Sequence, residues 1–277
     1  MLVTPALAAV TLGVGVVAGL MGAMLGIGGG VFLVPFLVLV VGVPFKAAAA
    51  VSLMAVIATS TSVSAAASST GRHLINYRLG MVLEVATAAG GLLGGVTAHM
   101  LSASTLQTIF GALALVVGLA VFRRAKQEEP RTDCDGDIGR LGGRFIDERC
   151  FEVCYRVKRL PMGLVVSFVA GNISTLLGVG GGIIKVPVLT TWCGMPMRAA
   201  AATSAFMIGV TATAGAVIYY GRGQLEPALA AAAVLGVQVG SWGGMRFGAS
   251  ASAKWLKVLM AAVLFILSAM MFLRGGR

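Results

Sequence analysis

The stretch Gly26 to Ser52, GIGGGVFLVPFLVLVVGVPFKAAAAVS, returns 152 positions later without a gap as GVGGGIIKVPVLTTWCGMPMRAAAATS, Gly178 to Ser204. The glycine triplets, the prolines Pro35 and Pro187, and the alanine run all fall in register. Two such copies in one chain are a duplicated structural unit. Whatever fold forms must therefore contain two like halves, each interrupted by glycine and proline at the same place.

Composition says where those halves reside. Of 277 residues, 58% are hydrophobic and 11% charged, whereas a soluble domain carries about a quarter charged residues. Between Met1 and Gly71 the only ionised side chain is Lys46, and between His73 and Phe122 there are only Arg78 and Glu84. Eight of the ten acids lie between Glu128 and Glu152, so one polar segment interrupts an otherwise membrane-embedded chain. A net charge of +11 would suggest nucleic acid in a soluble protein. Here the basic residues collect in loops, where they set membrane orientation, and no nucleic-acid partner is expected.

The division that follows is a first membrane repeat over 1–123, a linker over 124–159 and a second repeat over 160–277. Five apolar segments can be drawn in each half, roughly 4–25, 31–42, 46–69, 79–100 and 104–123, then 160–177, 183–193, 197–219, 227–246 and 254–273. Most approach the ~20 residues of a spanning helix. The second segment of each half does not: a helix that short covers about half of a ~30 Å hydrocarbon core. It is expected to return from mid-membrane, with Gly28-Gly29-Gly30 and Gly180-Gly181-Gly182 at hairpin tips. Irregular backbone at that depth needs protein or water around it.

With the linker inside, each half crosses an odd number of times and the two insert in opposite orientation. Sixteen lysines and arginines then fall inside and four outside, as the positive-inside tendency requires. The expected fold is an all-α polytopic membrane protein of two inverted-topology repeats, each with a half-helix after its glycine break, and with both termini outside. The first apolar run lacks a basic leader and reads as an uncleaved membrane segment. Within the linker, FIDERCFEVCYRVKRL is expected to form a short amphipathic piece on the inner surface. Cys134, Cys150 and Cys154 have neither the spacing nor the fourth ligand of a structural zinc site, and a loop in a reducing compartment argues against disulfides. Free thiols are the expectation, with no metal and no cofactor.

A helix that begins at mid-membrane presents unpaired N–H groups and the positive end of its dipole, and glycine lets a ligand approach the backbone. Two such tips entering from opposite faces suit a small anion. Close packing of small residues is the bland reading of the same glycines. Lys185, whose repeat partner is Leu33, is the one cation within the strongly apolar stretch of a repeat; an intramembrane charge points to function, although a lysine can also snorkel to an interface. Ser52 and Ser204 are repeat partners able to donate to an oxyanion. The candidate substrate-binding set is therefore Gly28, Gly29, Gly30, Ser52, Gly180, Gly181, Gly182, Lys185 and Ser204. Asn172 and Gln238 are polar within spans and either line a pathway or hydrogen-bond between helices, while Glu84, near Arg78, could relay protons but reads rather as an interfacial salt-bridged carboxylate. No nucleophile with a base, and no carboxylate pair, lies at depth, so an enzyme is not expected.

The two glycine motifs, together with FIDERCFEVCYRVKRL, resemble the sulfite exporter TauE/SafE family, within the 4-toluene sulfonate uptake permease group, over nearly the whole chain. The resemblance implies a secondary transporter of sulfite or an organosulfonate such as sulfoacetate, in the cytoplasmic membrane. A passive anion channel, or a membrane scaffold whose basic linker docks a cytosolic partner, are the alternatives. The particular anion, the direction of transport, the coupling ion and the oligomeric state are not encoded in these features.

Overall fold

A computed structural model describes residues 5–69, 71, 73–124, 141–146, 152–157, 159–248, 262, 265–266 and 268–272. The first half holds helices α1 (Pro5–Leu25), α2 (Gly30–Leu39), α3 (Phe45–Ser69), α4 (Tyr77–Met100) and α5 (Ala103–Arg124). Two strands follow, β1 (Gly143–Ile146) and β2 (Glu152–Tyr155), and then α6 (Leu160–Leu177), α7 (Gly182–Thr191), α8 (Met197–Gly221) and α9 (Pro227–Gly248). Six of the described helices are long and apolar enough to cross a membrane. The chain is a mostly helical polytopic membrane protein, as expected. The expected segment over 254–273 lies almost wholly outside the described residues.

Duplication is visible in the backbone. α2 and α7 begin and end 152 residues apart, and so do α3 and α8. Each short helix has 10 residues, about 15 Å at 1.5 Å per residue, half a hydrocarbon core. The exits match as well: Val43 N–H donates to Leu37 O at 3.0 Å, and Met195 N–H to Leu189 O at 2.9 Å. At the tips, Gly28 (φ 73°) and Gly180 (φ 81°) both adopt the left-handed region that a side chain disfavours. The copies part company one residue later, where Gly29 is right-handed at φ −54° and Gly181 left-handed at φ 72°.

Helix pairing exchanges partners between the halves. α1 packs on α9, and α6, its counterpart, packs on α4. Both contacts are backbone against backbone. Along the first, Gly236, Gly240 and Gly244 lie against the carbonyl oxygens of Leu12, Val16 and Leu20. Along the second, Gly90 and Gly94 lie against those of Phe168 and Asn172. In both pairs the two helices run the same way. α3 and α8 cross at the centre and run oppositely: Leu53 meets Gly215, while Ser60 meets Gly209 and donates to Ala205 O at 2.5 Å. Small residues permit this close approach without lipid between helices. Outward faces carry exposed Val85, Leu92 and Val96 on α4 and Leu235, Val239 and Trp242 on α9, side chains suited to acyl chains.

The described part of the linker corrects one expectation. Residues 143–146 and 152–155 form an antiparallel strand pair, with Gly143 opposite Tyr155 and Ile146 opposite Glu152. Alternation explains its placement: Phe145 and Tyr155 are buried with Leu79, Leu83, Leu189, Met195 and Met207, while Arg144 and Glu152 pair in solvent at 3.5 Å. Asn76 ties it down. Its side chain caps α4 by accepting from Leu79 N–H at 3.1 Å and donates to Leu141 O at 3.0 Å and to Tyr155 Oη at 3.2 Å. Burial raises the Tyr155 hydroxyl above its ordinary pKa. The pair thus docks on helix ends at the start of α4 and the α7–α8 turn. Cys154 is disulfide-bonded, which corrects the free-thiol expectation there; compartment alone does not say which thiols the chain brings together. Cys193 is a buried free thiol, and Cys134 and Cys150 lie outside the described residues.

Candidate functional site

The two glycine tips meet. Gly30 lies so close to the second tip that a Cβ on it would fall 2.8 Å from Gly178 O and from Ser52 Oγ. Gly182 abuts Gly26 O and Ile27 on the first tip in the same manner. Residues 26–30 and 174–183 are buried throughout. Val56 and Ile208, themselves repeat partners on α3 and α8, pack over Gly28 and Gly180 and fill the space between the tips. Of the two outcomes open to a deep tip, a cavity or a packed centre, this conformation has the packed centre.

The paired serines are not equivalent. Ser52 Oγ donates to Gly178 O at 2.7 Å and lies 3.4 Å from Gly30 O, stitching one tip to the other. Ser204 Oγ is buried with no hydrogen-bond partner among the described residues. Removal of a buried hydroxyl that satisfies a carbonyl costs about 1–3 kcal/mol, whereas removal of an unpaired one costs little. Ser52→Ala is therefore expected to lower the melting temperature in detergent by several degrees, at roughly 2–4 °C per kcal/mol for a chain of this size. Ser204→Ala is expected to leave it unchanged; equal shifts for the two would contradict this geometry.

Lys185 points away from the contact between tips. It sits on α7 three residues beyond Gly182 and is buried. Its Nζ donates to Thr211 Oγ1 on α8 at 3.0 Å and lies 3.5 Å from Glu84 Oε2 on α4. Thr211 Oγ1 in turn donates to Glu84 Oε1 at 2.7 Å. Glu84 is thus a buried ion-pair partner of Lys185 and not the interfacial partner of Arg78 expected from sequence; the turn of α4 that carries it faces α8, not the helix end. Gln238 is corrected too, being exposed on the outside of α9, while Asn172 is half-buried with its backbone against Gly94.

Buried hydroxyls without partners gather on the same side. Ser174 Oγ lies beside Gly181, and Thr175 Oγ1 faces Gly91, which also touches Thr211; neither oxygen has a hydrogen-bond partner among the described residues. Glu84 Oε2 likewise receives no hydrogen bond. A narrow crevice with no room for a water molecule is bounded by Leu83, Gly163, Ser167, Lys185, Leu189 and Met207. A second, with room for one at most, adjoins Gly26, Gly28, Thr59 and Ser60. Both are too narrow to admit a ligand as they stand.

All of the polar cluster except Glu84 belongs to the second half. The first repeat has Leu33 where the second has Lys185, Gly22 where it has Ser174, and Ala23 where it has Thr175. Thr59, partner of Thr211, spends its hydroxyl on its own helix, at 2.9 Å from Val56 O. Among the described residues no three His, Cys, Asp or Glu side chains gather to hold a metal. Sequence reasoning set Glu84 aside as interfacial, left Thr211 among the hydroxyls of ordinary helix packing, and missed Ser174 and Thr175. For Glu84 the signal was there: an isolated acid and an isolated lysine in apolar segments relieve each other's desolvation only as a pair.

Interrupted half-helices meeting inside a bundle of spanning helices, beside a buried ion pair, define a multi-pass membrane transporter by architecture. Comparison with known proteins agrees: the model of the sulfite exporter TauE/SafE family matches residues 11–271, and the chain belongs to that family. It is similar to the probable membrane transporter protein YunE of Bacillus subtilis, with 24% identity over 94% of this chain and 96% of the relative. It is also similar to the probable membrane transporter protein MJ0441 of Methanocaldococcus jannaschii, with 23% identity over 94% and 93% of the two chains. No solved structure matches it. The family and these relatives are membrane transporters and not enzymes.

Proposed function

We propose that the protein is a secondary transporter that moves a small sulfur-containing anion, sulfite or an organosulfonate such as sulfoacetate, across the cytoplasmic membrane by alternating access. The observation that carries this reading is a cation, Lys185, buried beside the N-terminus of a half-helix and near unpartnered hydroxyls. An ammonium, free hydroxyl donors and the positive end of α7 are what an oxyanion in a low-dielectric pocket requires. Ser204, Ser52 and Gly28 to Gly30 belong to this reading as groups that the anion meets once the packed tips part. Sulfur oxyanions are the substrate class because the family bears that name.

Inverted insertion of the halves is part of the proposal. Parallel α1/α9 and α4/α6 contacts together with an antiparallel α3/α8 crossing support a twofold axis lying in the membrane plane, since an axis along the membrane normal makes α3 and α8 parallel. The linker over 124–159 then lies on the cytoplasmic side, where its basic residues are favoured.

The test is uptake of radiolabelled sulfite into proteoliposomes containing the full chain, in competition with thiosulfate, sulfate, isethionate, sulfoacetate and acetate. Saturable uptake with counterflow, inhibited by the sulfur oxyanions and not by acetate, is the expected result. Acetate competing as well as sulfoacetate overturns the substrate class, and flux without saturation or counterflow overturns the carrier mechanism.

A further inference from the structure

We propose that Glu84 is the proton-coupling residue of this transporter: a monoanion takes over Lys185, and Glu84 takes up one proton when it does. The inference rests on the transport reading above and deepens it by naming the coupling ion and the charge of the cargo.

Charge balance in the buried site carries the argument. Empty, the site is neutral, with one ammonium and one carboxylate. An arriving monoanion leaves it with one uncompensated negative charge, which a water-poor interior tolerates badly. Protonation of the Glu84 carboxylate, with the proton on Oε2 and no other bond made or broken, restores neutrality. A dianion, as sulfoacetate is at neutral pH, leaves a residual charge even then, so within the class proposed above the cargo narrows to hydrogen sulfite or a singly charged sulfonate such as isethionate.

Geometry permits the exchange of partners. The Nζ to Oε2 separation of 3.5 Å is longer than a good charge-assisted hydrogen bond. Among the described residues Oε2 receives no hydrogen bond, so it has room for a proton. Thr211 holds the opposite carboxylate oxygen and the lysine at once. Its hydroxyl both donates and accepts, so it can keep Glu84 in place while Lys185 turns to the cargo.

The surroundings leave these two groups to settle the balance. α4 carries Tyr77 and Arg78 at its start and His99 at its end; α6 has no ionisable side chain; α7 has Lys185 alone. α8 carries Arg198 near its start and Tyr219 and Tyr220 near its end, and Tyr155 and Cys193 pack against Leu79 and Leu83 on the linker side. Of these, Lys185 is the group whose charge acts on Glu84.

The experiment uses the full chain in proteoliposomes with the membrane potential clamped by potassium and valinomycin, and with radiolabelled isethionate and sulfite as probes. One proton per monoanion means that a gradient of one pH unit sustains about a tenfold accumulation. A trapped pH dye is expected to report one proton per anion. In Glu84→Gln, anion-for-anion exchange is expected to continue at a reduced rate while accumulation and proton uptake disappear. Glu84→Asp is expected to restore both in part. Wild-type counterflow with no response to the pH gradient overturns the coupling and leaves the transport reading standing. No counterflow in wild type overturns both. Should Glu84→Gln fail to insert, the wild-type proton count and the Glu84→Asp variant still decide.

Discussion

Lys185→Ala is expected to abolish anion flux in proteoliposomes, while Lys46→Ala, the only other lysine in the repeated motif or its partner, is expected to leave it little changed. The two differ in setting. Lys46 is partly buried at a helix start and donates to His99 O at 3.2 Å; Lys185 is buried at the tip of α7 with its charge opposite Glu84. Truncation of one member of a buried, hydrogen-bonded charge pair costs about 2–5 kcal/mol, equivalent to a loss of at least about 30-fold. The single variant also strands the Glu84 carboxylate, a strongly destabilising change, so loss of flux by itself does not separate chemistry from folding. Lys185→Met combined with Glu84→Gln removes both charges at similar volume, an exchange that is often neutral for stability. That double variant is expected to insert, to melt near wild type and to carry no anion. Flux at the wild-type rate in either variant removes Lys185 from the site.

The second large effect concerns glycine. A Cβ on Gly90 would overlap the carbonyl oxygen of Phe168, one on Gly94 that of Asn172, and one on Gly171 that of Thr87. The obstacle is backbone in every case, so no rotamer change relieves it. Alanine in a helix interior gains about 1 kcal/mol over glycine from propensity, but forced overpacking costs about 1–3 kcal/mol at each site, and here α4 must lift off α6. With that cost at its upper end, because the obstacle is backbone at both sites, Gly90→Ala with Gly94→Ala is expected to lose about 4 kcal/mol net, a fall of about 8–16 °C in melting temperature measured in detergent. Gly13→Ala on α1 is the control, since a Cβ there meets nothing within 4 Å; its melting temperature is expected to hold or rise. An unchanged melting temperature for the double variant means that α4 and α6 are not in backbone contact.

Much of the architecture was legible in the chain because it rests on periodicity and on residues with special backbone behaviour. The length of α2 and α7, the breaks at Gly26 to Gly30 and Gly178 to Gly182, and their contact at depth all follow from duplicated glycine and proline in segments too short to span. The strand pair in the linker was not legible in an all-α reading: it is only two short strands of four residues, and its stability comes from Phe145 and Tyr155 packing on helix ends, contacts made by residues far apart in sequence. The site was half legible. An isolated lysine announced itself, but which way its ammonium turns depends on the packing of α4 against α8, and no local pattern encodes that. The inequality of Ser52 and Ser204 was invisible for the same reason, since their sequence contexts are nearly identical and only the conformation of the facing tip differs.

The interlacing of the two copies has a mechanical consequence. Where backbones touch through glycine, as α1 does with α9 and α4 with α6, there is no side-chain cushion to shear, and each such couple shifts as one piece. Each couple draws one helix from either copy. Under the alternating access proposed above, the units that tilt against each other are therefore not the first and second parts of the polypeptide but two composites spliced from both, and the seam between them is the crossing of α3 and α8, where Val56 and Ile208 lie between the tips.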